Sequence, residues 1–254
     1  MSTTPSTAPS TGLTRAHVMP LAVFMGFLLL RDALGFFGLV NSSESAPWWQ
    51  RQPELWLYPL QTLVTLAVLA SCRKHWDFRP LQGTGLAVLL GILGIAIWIA
   101  PGFLARSFEL RIPILSYFGV KSRTNGFDPG LLLDSGSGLY WAVIALRFLR
   151  LVVVVPLAEE LFWRGFLMRY LVNPDGDFWS VRFGTFHWKS FAIVTGLFIA
   201  IHSSADYFGA AVFGSLMYLL AVRTKSLFAC VLMHAVANLL LGLYVLSTGQ
   251  WGYW

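Results

Sequence analysis

Two adjacent glutamates, two histidines and an asparagine stand in otherwise apolar sequence, and together they hold the groups that amide hydrolysis requires. Glu159 and Glu160 follow Pro156-Leu157-Ala158 and precede Leu161-Phe162-Trp163-Arg164; the whole chain has only five glutamates. Glu160 and Arg164 are four apart, so on a helix they share a face and can pair. Glu159 points about 100° away around the same helix. It is the less compensated carboxylate and has a like charge beside it, which suits it to accept a proton from water. Taken alone, the motif also fits a buried ion pair that holds two helices together.

His202 ends the apolar stretch Phe198-Ile199-Ala200-Ile201 and is followed by Ser203, Ser204 and Asp206. Phe198 lies one turn earlier on the same face. Alone, such a histidine is more simply read as bonded to a neighbouring backbone carbonyl. His234 and Asn238 are again four apart, which puts both on one helix face. Lipid rejects that face, so it turns into a bundle, and an interhelical hydrogen bond of about 1 kcal/mol explains the pair by itself. Jointly the residues do more. A carboxylate can deprotonate water, an imidazole can hold that water or protonate the leaving amine, and a second imidazole with an amide can donate to an oxyanion. Two histidines and a glutamate are also a zinc ligand set with water as the fourth ligand. Against zinc, the chain has no His-Glu-x-x-His helix, and Asn238 is a poor ligand for it.

The elements that position these groups must lie in a membrane. The chain of 254 residues is 56% hydrophobic and 12% charged, with a mean hydropathy of +0.65. Soluble domains carry about twice that charged fraction. Apolar runs at Val18–Val40, Leu55–Cys72, Gly85–Ala105, Gly138–Val172, Ser190–Ala205, Phe208–Val222 and Leu227–Leu246 approach or exceed the roughly 20 helical residues of one crossing. Backbone groups in lipid must be satisfied internally. The fold predicted is therefore all-α: a polytopic transmembrane helical bundle of about seven to eight spans, the eighth arising if Gly138–Val172 breaks at Pro156. Residues 1–17 read as a disordered tail, 18–137 as N-terminal transmembrane helices with an extramembrane loop, 138–247 as the chemically active core and 248–254 as a C-terminal tail. Arg73, Lys74 and Arg79 after the second span, and Arg223 and Lys225 after the sixth, place those loops on the cytoplasmic side. The loop 106–134, with Arg106, Arg111, Lys121 and Arg123, weakens that orientation. Arg31 and Asp32 can neutralise each other, and Arg147 and Arg150 can snorkel to headgroups. The net charge of +6 suits anionic headgroups rather than nucleic acid. Cys72 and Cys230 form neither a disulfide framework nor a metal spacing.

The three motifs resemble the CPBP intramembrane protease family of CAAX-processing and bacteriocin-processing proteins. The family pattern stands here as Glu159-Glu160-x-x-x-Arg164, Phe198-x-x-x-His202 and His234-x-x-x-Asn238, over about the final half of the chain. The resemblance implies a glutamate-type endopeptidase without a metal. Glu159 would activate water, His202 would help hold it, and His234 with Asn238 would form the oxyanion site. Glu160 and Arg164 would fix the active-site helix, and Phe198 would line the pocket. The implied partner is a membrane-embedded or membrane-anchored protein or peptide; the location expected is an integral, multi-pass membrane one, with the plasma (inner) membrane taken by default. Two other classes compete. A non-catalytic scaffold or chaperone of the same fold has no reason to keep all four of Glu159, His202, His234 and Asn238. A transporter would show an inverted repeat and paired broken helices, which are missing here.

Overall fold

The computed structural model describes residues 8–254 apart from Ser42, Glu44 and Arg111. The tail expected over residues 1–7 and the loop cation Arg111 lie outside the described residues. All described secondary structure is helical. Seven helices matter here: α1 (Ala8–Phe36), α2 (Glu54–Cys72), α3 (Thr84–Ser107), α4 (Ser137–Tyr170), α5 (Trp188–Ala200), α6 (Tyr207–Thr224) and α7 (Leu227–Thr248). Six are long and apolar enough to cross a membrane, and α5 is a shorter apolar helix. Its 13 residues reach about 20 Å at 1.5 Å per residue, short of a hydrocarbon core of about 30 Å. That accounts for the difference from the seven or eight spans predicted. The chain is an integral, multi-pass membrane protein.

Two details depart from the sequence reading. Helix α1 opens at Ala8, so residues 8–17 are helical where a tail was expected. Helix α4 does not break at Pro156. Instead its turns widen to π-helix at Arg150–Val154 and again at Leu161–Leu167, with α-helix over Val155–Glu160 between them. Proline lacks an N–H and its ring strikes the carbonyl four residues back. A widened turn is one of the ways a helix absorbs that insult without ending.

The chain divides into two compact units. One comprises residues up to Trp76 with Pro129–Glu159; the other comprises Asp77–Asp128 with Glu160–Trp254. In the first, α1 packs on α2. Pro20 inside α1 deprives the Ala16 carbonyl of its helical donor, and the Trp76 indole N–H donates to that oxygen at 3.2 Å. Buried Gln61 donates to the Phe24 carbonyl at 2.8 Å. Arg31 pairs with Glu54 at 3.1 Å rather than with its neighbour Asp32. Arg147 is buried, and it does not snorkel. Its guanidinium and that of Arg150 lie 4.4 and 3.7 Å from the centre of the Tyr58 ring.

In the second unit α3 packs on α6 and α7, and α6 packs on α5. Small residues let the backbones approach, as membrane packing favours. A Cβ on Gly91 would sit 2.8 Å from the Met233 carbonyl oxygen, and one on Gly94 would sit 2.7 Å from the Phe213 ring. Ser226 caps α7 by accepting from the Ala229 N–H, while its hydroxyl donates to the Pro80 carbonyl at 2.6 Å. Replacing Gly91 by valine is expected to lower stability by about 1–3 kcal/mol through overpacking against α7. A denaturation midpoint in detergent measures this. Gly85→Val, where a Cβ meets nothing within 4 Å, should stay within about 0.5 kcal/mol of the parent.

Candidate active site

The later segment of the second unit begins at Glu160, whose carboxylate is the node of its polar core. Glu160 and Arg164 are both completely buried. Arg164 Nη1 donates to Oε1 at 3.1 Å and stands equally 3.1 Å from Oε2. His234 Nδ1 lies 2.8 Å from the same Oε1. An ionised carboxylate only accepts, so the imidazole donates through Nδ1–H. One oxygen on α4 thereby ties a cation one turn ahead to an imidazole on α7. The four-residue spacing that suggested the Glu160–Arg164 pair is realised inside a widened turn.

His202 is set by the same kind of reasoning. Its Nδ1 lies 2.6 Å from the Phe198 carbonyl oxygen. A carbonyl only accepts, so here too Nδ1 carries the proton. Each histidine is left with Nε2 as its remaining ring nitrogen. Phe198 is buried under both groups, 4.7 Å from the His202 ring centroid and 5.4 Å from the Arg164 guanidinium carbon. Phe213 on α6 stacks on Phe198 at 6.4 Å and meets His234 edge-on at 5.6 Å. Trp98 on α3 meets His202 at 5.2 Å and Phe213 at 6.0 Å. Aromatic rings thus fill the space around both imidazoles.

The second unit therefore brings together Glu160, Arg164, Phe198, His202 and His234. Asn238 stands one turn beyond His234 on α7 and is half-buried. Glu159 is the last residue of the first unit; it is half-buried, and its buried Oε2 makes no hydrogen bond with any described residue. Among the described residues no three His, Cys, Asp or Glu side chains are grouped so as to hold a metal ion. Phe213, Trp98, Arg123 and Asp206 belong to this neighbourhood but were not singled out from the sequence. An acid directly after the His202 stretch was the one available signal. Phe213 and Trp98 look like any other apolar-helix aromatics until packing places them.

Removing one member of a buried pair strands the other. Glu160→Ala is expected to cost about 3–5 kcal/mol, read as a lower unfolding midpoint in detergent. The double variant Glu160→Met with Arg164→Met should recover much of that loss, because no guanidinium is then left without its carboxylate.

No curated protein and no solved structure matches the chain. Residues 141–240 match the family model described as Type II CAAX prenyl endopeptidase Rce1-like. That stretch runs from α4 into α7 and contains Glu159, Glu160, Arg164, Phe198, His202, His234 and Asn238, whereas Trp98 and Arg123 fall outside it. The buried carboxylate with its arginine and imidazole sits on the segment, residues 141–240, that is similar to the Rce1-like CAAX endopeptidase model.

Proposed function

We propose that the chain is a glutamate-type intramembrane endopeptidase that cuts a membrane-embedded or membrane-anchored protein or peptide. The observation that carries this reading is the contrast between two neighbouring carboxylates. Glu160 is committed through Oε1 to Arg164 and His234, and its Oε2, which makes no hydrogen bond, still stands 3.1 Å from the Arg164 guanidinium, while the buried Oε2 of Glu159 makes no hydrogen bond with any described residue. A carboxylate of the second kind is the one free to act on water.

In this mechanism Glu159 takes a proton from water and the hydroxide adds to the scissile carbonyl carbon. The oxyanion that forms is met by the Asn238 amide N–H and by His234. Nδ1–H of His234 is already given to Glu160, so His234 donates from Nε2 only when both ring nitrogens are protonated. Before addition, Nε2 of His202 accepts from the attacking water and orients it; after addition, the C–N bond breaks as Glu159 returns its proton to the leaving amine. Glu160 and Arg164 hold α4 and the His234 ring, and Phe198 lines the pocket. None of these steps calls on a metal or other cofactor.

A second reading has an observation of its own. In both histidines Nδ1 is engaged and Nε2 is left over, and His234 is backed by a carboxylate, as metal-bound histidines commonly are. A zinc-dependent variant of the same hydrolysis would use those two Nε2 atoms.

The test is cleavage of a membrane-peptide panel, with and without a prenylated C-terminal cysteine, by the purified chain in liposomes. Wild type is run beside Glu159→Gln, each with and without a strong chelator. Glu159→Gln should lower turnover by about 10²–10⁴-fold, the usual worth of a general base, and wild-type turnover should survive the chelator. Normal cleavage by Glu159→Gln would remove it as the base. Loss to chelator with recovery on added zinc would establish the second reading. Absence of cleavage across the panel, with a bound membrane protein recovered instead, would favour a scaffold.

A further inference from the structure

The loop 106–134, which joins α3 to α4, carries no recognisable motif, yet within the second unit it reaches the turn that follows His202. Arg123 is buried there. Its Nη1 donates to Asp206 Oδ1 at 2.5 Å and its Nη2 donates to the Ala205 carbonyl at 2.6 Å. Its guanidinium lies 4.2 Å from the centre of the Tyr253 ring. Burial pushes the Tyr253 phenol up to about 12, against the opposing pull of Arg123. The ring therefore stays neutral at ordinary pH and keeps an uncharged face toward the cation. The Gln250 side-chain carbonyl accepts from the Arg123 backbone N–H at 2.8 Å and from the Ser122 hydroxyl at 3.2 Å. Gly119, at φ +88, lies so close to the Ala205 carbonyl that no side chain fits.

Asp206 converts this anchoring into a restraint on His202. Besides Arg123, its Oδ1 accepts from the Trp98 indole N–H at 2.9 Å, and its Oδ2 accepts from the Ser203 hydroxyl at 2.6 Å. Trp98 in turn puts its ring edge-on to the His202 imidazole at 5.2 Å. Gly209, one turn into α6, leaves the room for this: a Cβ there would sit 2.6 Å from the indole. An indole fixed at its N–H and confined by α6 cannot drift, and neither can the imidazole packed on it.

We propose that Asp206, held by Arg123, is the positioning residue of His202, acting through Trp98 and the 203–206 turn to keep the imidazole in one rotamer with its proton on Nδ1. The consequence for chemistry rests on the reading of His202 given above. The placement of the ring does not.

The experiment uses the full chain in lipid nanodiscs, labelled with ¹⁵N-histidine, with the His202 signals assigned by loss in His202→Gln. Wild type should show two well-separated imidazole ¹⁵N resonances, one protonated and one bare nitrogen, from a single tautomer. Asp206→Ala, Arg123→Gln and Trp98→Phe should pull those resonances together as the tautomers average. Arg123→Lys should restore part of the separation. Trp98→Phe removes the indole N–H and shrinks the ring while leaving Asp206 and Arg123 paired, so it decides the matter if Asp206→Ala does not fold. Unchanged His202 resonances in Trp98→Phe and Arg123→Gln would overturn the proposal, since the local bond to the Phe198 carbonyl would then suffice alone. On a substrate the wild type cleaves, the same variants should lose roughly 10–100-fold in kcat with KM little changed, as expected for a misplaced catalytic group. If His202→Gln cleaves normally while the resonances still respond, the catalytic reading of His202 falls and its positioning by Asp206 stands.

Discussion

A full charge surrounded by apolar helices persists only where other charges and hydrogen bonds replace the water it has lost. Glu160 meets that demand with one arginine from its own helix and one imidazole from α7. The arrangement restrains more than the charge. It fixes how the second part of α4 stands against α7, because a slip of either helix by one residue would open the His234 bond to Oε1. It selects the Nδ1–H form of His234. It also holds the Arg164 guanidinium over Phe198, and so sets the ring that packs on His202. The polar centre of the second unit is read outward from this one oxygen atom.

The helices bend their own rules where this centre needs it. Proline occurs inside α1, α2, α3 and α4, and each proline leaves a carbonyl without its helical donor. In α1 the debt is met by a distant indole. In α4 the turns on both sides of the glutamates widen to π-helix, a distortion frequent at functional sites. Close backbone contact supplies the rest. Gly91, Gly94 and Gly209 let a carbonyl, a phenyl ring and an indole occupy the place where a side chain would stand. In lipid there is little hydrophobic gain from burying apolar side chains, so contact of this kind carries much of the association.

Outside the apolar helices, cohesion takes a different form. Arg123 joins the loop 106–134 to the 203–206 turn, and its backbone is held to the C-terminal residues by the Gln250 side-chain oxygen, which accepts, and the Gly252 N–H, which donates. These bonds place a buried cation beside an acid that would otherwise be the isolated charge at the end of α5.

The sequence by itself determined the class of fold. Composition and run length required a helical membrane protein, since lipid leaves no other way to satisfy the backbone of so apolar a chain. Spacings of four residues placed Glu160 with Arg164, Phe198 with His202 and His234 with Asn238, because a helix returns to the same face at that interval and the period survives in any bundle. What lay beyond one helix was not legible. That His234 bonds to Glu160, 74 positions away, that Phe213 bridges the two histidine neighbourhoods, and that Arg123 and Trp98 converge on Asp206 are facts of helix packing. Local spacing repeats with the helical turn and can be read along the chain. Contacts between elements depend on crossing geometry, close approach at glycines and the course of a loop, and those were decided only when the helices packed.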